Sequence, residues 1–85
     1  MNGNGTFQAH KFASQAGVTV RTLHHYDRLG LLKPGRSHAG YRVYRERDFV
    51  RLGQIVTLKF IGFPLKQIRE LLERNALDLP AALRL

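Results

Sequence analysis

The stretch "GVTVRTLHHYDRLG", Gly17 to Gly30, decides the fold. Thr19 has the side chain of a helix N-cap, a hydroxyl able to accept from an early helical N–H. Val20 and Leu23 then share one face of the helix that follows, with Asp27 at its margin, and Gly30 stops it. Upstream, "FQAHKFASQAG" places Ala9, Phe12, Ala13 and Ala16 at helical spacing, and Gly17 ends that run. Two short helices joined by a tight turn at Gly17 and Val18 outline a helix-turn-helix.

Downstream the pattern changes. Leu31 and Leu32 are apolar, Pro34-Gly35 breaks any helix, and residues 35–40 are rich in turn formers. Tyr41 to Tyr44 has the β-propensity of a strand. The segment predicts a two-stranded hairpin whose loop exposes Arg36, Ser37 and His38, in other words a wing. "RERDFVRLGQIVTLKFIG" predicts a longer helix with Phe49, Leu52, Ile55, Val56 and Phe60 on its apolar side. Gly53 inside it costs about 1 kcal/mol relative to Ala, so it marks either close packing or a tolerated weakness. "FPLKQIRELLERN" predicts another helix, with Pro64 in its first turn and Leu65, Ile68, Leu71 and Leu72 at helical spacing. Asn75 is expected to end it, and a last helix to begin near Asp78 and Pro80. The expected fold class is therefore mainly α: a winged helix-turn-helix with a two-helix extension and a short β-hairpin wing. The expected divisions are a flexible N-terminus (1–5), the winged domain (6–75), and a linker with the start of a truncated helix (76–85).

Charge narrows the function. Fourteen Lys and Arg stand against six Asp and Glu, a net +8. Arg21 to Arg51 holds eight of the basic residues and only three acids. Such clustering on a small domain points to a polyanion, and the planar fork of arginine suits phosphate. No cysteine is present, which excludes disulfides, thiolate metal sites and thiol catalysis. No apolar run is long enough to span a bilayer, and the polar start "NGNGT" does not read as a signal peptide. A cytoplasmic location is expected.

Arg21, His24, His25 and Arg28 sit at offsets 0, 3, 4 and 7, a polar stripe opposite Val20 and Leu23. On the second helix of a helix-turn-helix, such a stripe faces the major groove. Thr19 and Arg21, in the first turn, are placed to reach bases or phosphates. Arg21 fits either a guanine edge or a phosphate. Tyr26, one step off the stripe, fits either a phosphate contact through its hydroxyl or ring packing in the core. Asp27 is expected to pair with an arginine or cap a backbone group, because phosphate would repel it. In the hairpin, Arg42 shares a face with Tyr44, and Tyr41 is expected to pack its ring beneath the wing while its hydroxyl reaches the DNA backbone. Arg36, Ser37 and His38 form either a minor-groove contact or a mobile tip. Lys59 and Lys66 fit phosphate or solvent equally.

The histidines do not form a metal motif. His24 and His25 are adjacent and diverge on a helix, whereas a helical zinc pair needs spacing of four and a third ligand. His10 and His38 have no ligand pattern around them. No catalytic nucleophile motif, phosphate-binding glycine loop or paired acid is present. Neither an enzyme nor a cofactor or metal site is expected.

"GVTVRTLHHYDRLGLLKP", "GYRVY", "DFVRLGQI" and "IGFPLKQIRELL", in this order and spacing, resemble the DNA-binding domain of MerR-family transcription regulators, from about Phe7 to Leu72. "RTLHHYD" and "GFPL" look most like the multidrug- and antibiotic-sensing, TipA-like branch. The resemblance implies a homodimer formed by a further helix, a pseudo-palindromic promoter spacer as its double-stranded DNA target, and distortion of that DNA to realign the promoter for RNA polymerase. It implies phosphate contacts from a Tyr pair at the positions of His25 and Tyr26, and from Arg42 in "GYR". Three positions depart from the pattern. Arg45 stands where a capping Ser, Thr or Asp is usual, with Arg47 replacing an acid, and Pro64 stands where Ser is commoner. An excisionase-like architectural protein is the nearest alternative, against which the long extension speaks. A protein-interaction module with an incidental basic face is the alternative of another class.

Overall fold

The computed structural model of the protein describes the backbone of residues 5–83 and the side chains of residues 5–74. In chain order the elements are β1 (Thr6–Gln8), α1 (Ala9–Ala16), α2 (Val20–Arg28), β2 (Gly35–Arg36), β3 (Arg42–Arg45), α3 (Glu46–Ile61) and α4 (Leu65–Leu83). The helix-turn-helix closes as its sequence predicts. Gly17 takes a left-handed conformation at φ 76° and its N–H returns to the carbonyl of Ala13. Thr19 then caps α2, its Oγ1 accepting from the N–H of Thr22 at 3.0 Å. Gly30, at φ 75°, turns the chain out of α2.

The sheet has three antiparallel strands in the order β1-β3-β2, one more than the expected hairpin. Thr6, Phe7 and Gln8 pair with Arg45, Tyr44 and Val43. Residue 5 is described, and residues 6–8 form a strand; residues 1–4 of the expected flexible terminus lie outside the described residues. Gly35 and Arg36 pair with Val43 and Arg42 on the other edge of β3. β3 starts one residue later than expected. Tyr41 lies outside it and is 63% exposed, so its ring does not pack beneath the wing. The tip turns too sharply for that: Ser37 and Tyr41 exchange bonds, Ser37 N–H to Tyr41 O at 2.9 Å and Tyr41 N–H to Ser37 Oγ at 3.2 Å.

The core gathers Phe12 and Ala13 of α1, Leu23 and Tyr26 of α2, Leu31 and Leu32 just beyond it, Tyr44 of β3, Leu52 and Ile55 of α3, and Ile68 and Leu72 of α4. Phe12 lies between two rings, stacked on Tyr44 at 4.5 Å and tilted against Phe49 at 4.3 Å. Phe7 meets Phe49 edge-on at 5.3 Å. These rings tie β1, α1, β3 and α3 together, and aromatic pairs of this kind add about 0.5–1.5 kcal/mol each beyond their buried area.

Two expectations about the extension are revised, and the open reading of Gly53 is decided. The apolar side of α3 is split: Leu52 and Ile55 are buried, but Val56 is 47% and Phe60 90% exposed. Helical spacing identifies a face without showing how much of it a neighbour covers, and α4 packs over only part of this one. Gly53 is not a close-packing site, since a Cβ there would meet nothing within 4 Å. Finally, α4 runs through Asn75 and the expected restart at Asp78 to Leu83. One Asn costs a few tenths of a kcal/mol, roughly, in a segment otherwise rich in Ala and Leu.

At the head of α3 the missing cap is half replaced. Asp48 accepts from the backbone N–H of Arg45 at 2.8 Å, while the guanidinium of Arg45, having no acceptor, leaves the reciprocal bond unmade. Glu46 and Asp48 in the first turn offset the cationic cap. Pro64 precedes α4, and its carbonyl accepts from Ile68 at 2.9 Å.

Candidate nucleic-acid interface

α2 turns Leu23 and Tyr26 into the core and leaves Arg21, His25 and Arg28 exposed. Three of the four stripe residues therefore stand together on the outer face. His24 is half-buried and turns toward the wing, its Nε2 3.4 Å from Nη1 of Arg42. A guanidinium only donates, so in a hydrogen bond here Nε2 is the acceptor. Thr19 is exposed at the head of the helix, but its hydroxyl is occupied twice, accepting from Thr22 N–H and donating to Thr22 Oγ1 at 2.9 Å. Tyr26 is 3% exposed, and of its two sequence readings the ring takes the core position. Its edge borders a shallow surface depression between the helical turn and α3.

The wing comes down beside α2. Arg42 is joined to Asp27 by an ion pair with Nε to Oδ2 of 3.0 Å, both side chains largely shielded from water. Arg36 donates from Nη1 to the carbonyl of Gly40 at 3.2 Å, bracing the tip from within. His38 is exposed at that tip. An open cleft between the start of α1, α2 and the wing brings His24, Arg36, Tyr41 and Arg42 together with His10. Asp27 is the acid nearest this surface, and Arg42 neutralises it. Arg21, Arg28 and Arg36 have no carboxylate partner among the described residues. The arrangement offers several exposed guanidinium and imidazole donors on one side of the domain, as an anionic backbone requires.

Two residues at the foot of α2 were not singled out by the sequence. Arg51 of α3 donates to the carbonyl of Leu31 at 2.8 Å, and Arg69 of α4 reaches the carbonyl of Leu29 at 3.4 Å. Cations at a helix C-terminus satisfy carbonyls that lack helical partners and complement the dipole. No local pattern announces them, because each pairing spans a large separation in the chain.

Tyr44, fully buried, has a hydroxyl with no partner among the described residues. Burial pushes its pKa above the ordinary phenolic value, and the Asp27 carboxylate adds to the rise while Arg42 opposes it. Among the described residues no three His, Asp or Glu side chains converge as a metal would need, and no helix is long and apolar enough to cross a membrane.

A helix-turn-helix flanked by a three-stranded wing and two further helices, with its cations gathered on α2 and the wing, is the architecture of a winged helix-turn-helix DNA-binding domain. The chain belongs to the MerR family: the model of the "MerR HTH family regulatory protein" matches residues 7–75. It is 50% identical over 80 residues to the transcriptional activator TipA of Streptomyces coelicolor, covering 93% of this chain and 32% of TipA. Among solved structures it superposes with a TM-score of 0.77 on the N-terminus of the Bacillus subtilis multidrug transporter activator Mta, at 46% identity, covering 92% of this chain and 74% of that one. HiNmlR, a MerR-family regulator lacking its sensor domain and bound to promoter DNA, matches with a TM-score of 0.75 at 35% identity, covering 80% of this chain and 55% of that one. The chain spans about a third of the length of the curated relatives it matches. Those relatives are transcription regulators rather than enzymes.

Proposed function

We propose that this chain is the sequence-specific DNA-binding part of a bacterial transcription regulator, acting in the cytoplasm on double-stranded promoter DNA. In this reading α2 enters the major groove. Arg21 contacts a base edge or phosphate near the start of the helix, and His25 and Arg28 continue along it. Arg36 and His38 approach the minor groove from the wing tip, and Arg42 and the exposed Tyr41 reach the backbone beside it. Thr19 and Tyr26 act mainly by fixing α2, with His24 linking α2 to the wing. The full regulator binds a pseudo-palindromic spacer as a homodimer, paired through a further helix, and distorts the DNA for RNA polymerase.

The observation that carries this reading is the junction of wing and helix: Arg42 of β3 lies 3.0 Å from Asp27 of α2, so the stripe and the wing form one basic surface. A duplex-binding titration by fluorescence anisotropy tests it. Binding weakens linearly on a log–log plot against salt, at a slope of about −0.9 for each phosphate neutralised. Binding that is absent, or insensitive to salt, overturns the reading in favour of an incidental basic face. The α3–α4 extension, packed through Ile55, Ile68 and Leu72, supports a regulator over a small excisionase-like protein.

A further inference from the structure

Asp27 is the only acid in α2, and it lies beside the most basic surface of the domain. Its charge alone would weaken the hold on a polyanion. Its geometry explains its presence. Oδ2 accepts from Nε of Arg42 at 3.0 Å, with the carboxylate side chain 17% and the guanidinium side chain 29% exposed. Nη1 of the same guanidinium meets Nε2 of His24 at 3.4 Å. A guanidinium is planar and carries five N–H donors, so tying Nε and Nη1 to two residues of one helix fixes its plane. The donors left over are the two N–H of Nη2 and one N–H of Nη1.

We propose that Asp27 is a positioning residue for DNA binding: it locks Arg42 of the wing onto the recognition helix and so aims the free edge of that guanidinium at a backbone phosphate. The proposal rests on the DNA-binding reading above. It makes the wing and α2 a single rigid reader, in which the strand carrying Arg42 is set relative to the groove by a carboxylate one element away. His24 supports the same arrangement from the preceding turn.

The sign of the effect separates positioning from charge. Removing an anion beside DNA tightens binding if only charge matters. Positioning predicts that Asp27→Asn weakens binding to operator and random duplex alike, by about three- to tenfold, as expected for two directly coupled groups. In an Arg42→Ala background the same Asp27→Asn change no longer weakens binding. Arg42→Lys, which keeps the charge but cannot make both links, weakens binding by a similar factor and covers the case in which Asp27→Asn fails to fold, as judged by circular dichroism. Affinity by Asp27→Asn or Arg42→Lys equal to or tighter than that of the unaltered protein overturns the proposal. Absence of salt-dependent duplex binding by the unaltered protein overturns the DNA-binding reading instead.

Discussion

Arg51 of α3 donates to the carbonyl oxygen of Leu31 at 2.8 Å, placing a cation directly below the end of the recognition helix. The side chain is partly buried, and its partner is a backbone oxygen just past the point where α2 stops. Arg51→Met keeps most of the aliphatic packing and removes the donor. A hydrogen bond involving a charged group contributes about 1.5–3 kcal/mol, so urea unfolding should show a loss in that range. An unchanged midpoint would show that water replaces the bond at no cost.

Thr19 joins helix capping to a place on the candidate interface. Thr19→Ala should cost about 1 kcal/mol of stability by removing the acceptor for Thr22 N–H. Thr19→Asp should cap as well as Thr yet bind DNA more weakly, because it adds an anion next to Arg21. Thermal melts and duplex titrations on the two variants separate the roles. Equal DNA affinity for Thr19→Asp and the unaltered protein would remove position 19 from the interface.

Gly53 sits within α3 with open space where a side chain would extend. Gly53→Ala should raise stability by about 1 kcal/mol through helix propensity and reduced freedom of the unfolded chain. A fall in melting temperature would mean that the surface near Gly53 is packed more closely than the structure shows.

Tyr44→Phe removes a buried hydroxyl that has no partner among the described residues. An unsatisfied buried polar group costs about 1–3 kcal/mol, so the variant should be more stable at neutral pH. The pH dependence has a definite sign. The folded-state pKa is raised, so above the ordinary phenolic value the unfolded chain ionises first and binds fewer protons. Stability therefore falls as pH rises from that value through the window up to the raised pKa. Tyr44→Phe should flatten this alkaline decline, and chemical denaturation across that pH range measures it. An identical decline in the variant would assign it to other groups.

The local grammar of the sequence specified the helix-turn-helix well. Gly17, Thr19 and Gly30 mark turn, cap and stop because each acts on residues within one helical turn. The wing was legible for the same reason: Pro34-Gly35 and Gly40 allow few paths other than a return. What escaped was non-local. β1 is only three residues long and gains its pairing from Arg45, Tyr44 and Val43, so "TFQ" by itself carries no strand signal. Arg51 and Arg69 carry no local signal, because their partners, the carbonyls of Leu31 and Leu29, lie far away in the chain. Val56 and Phe60 show the limit of periodicity, which aligns residues on a face without saying whether anything covers them. Asp27 stood between these cases: its chemistry demanded a partner, and only the fold could name Arg42.

β3 is the middle strand of the sheet, with β1 on one edge and β2 on the other. Its two edges are reached at different stages of assembly. β2 arrives through a short hairpin, whereas β1 must travel back across both helices of the helix-turn-helix, and closing the longer loop costs more chain entropy. The wing is therefore expected to form early, and the seating of Phe7 beside Tyr44 to come late, after the rate-limiting barrier has been crossed. Phe7→Leu should accordingly speed unfolding while leaving the folding rate nearly unchanged, a pattern that stopped-flow kinetics can read directly. A slower folding rate would place that edge in the nucleus instead. On this account the three residues of β1 act as the latch on the domain, setting how long it stays assembled rather than how quickly it forms.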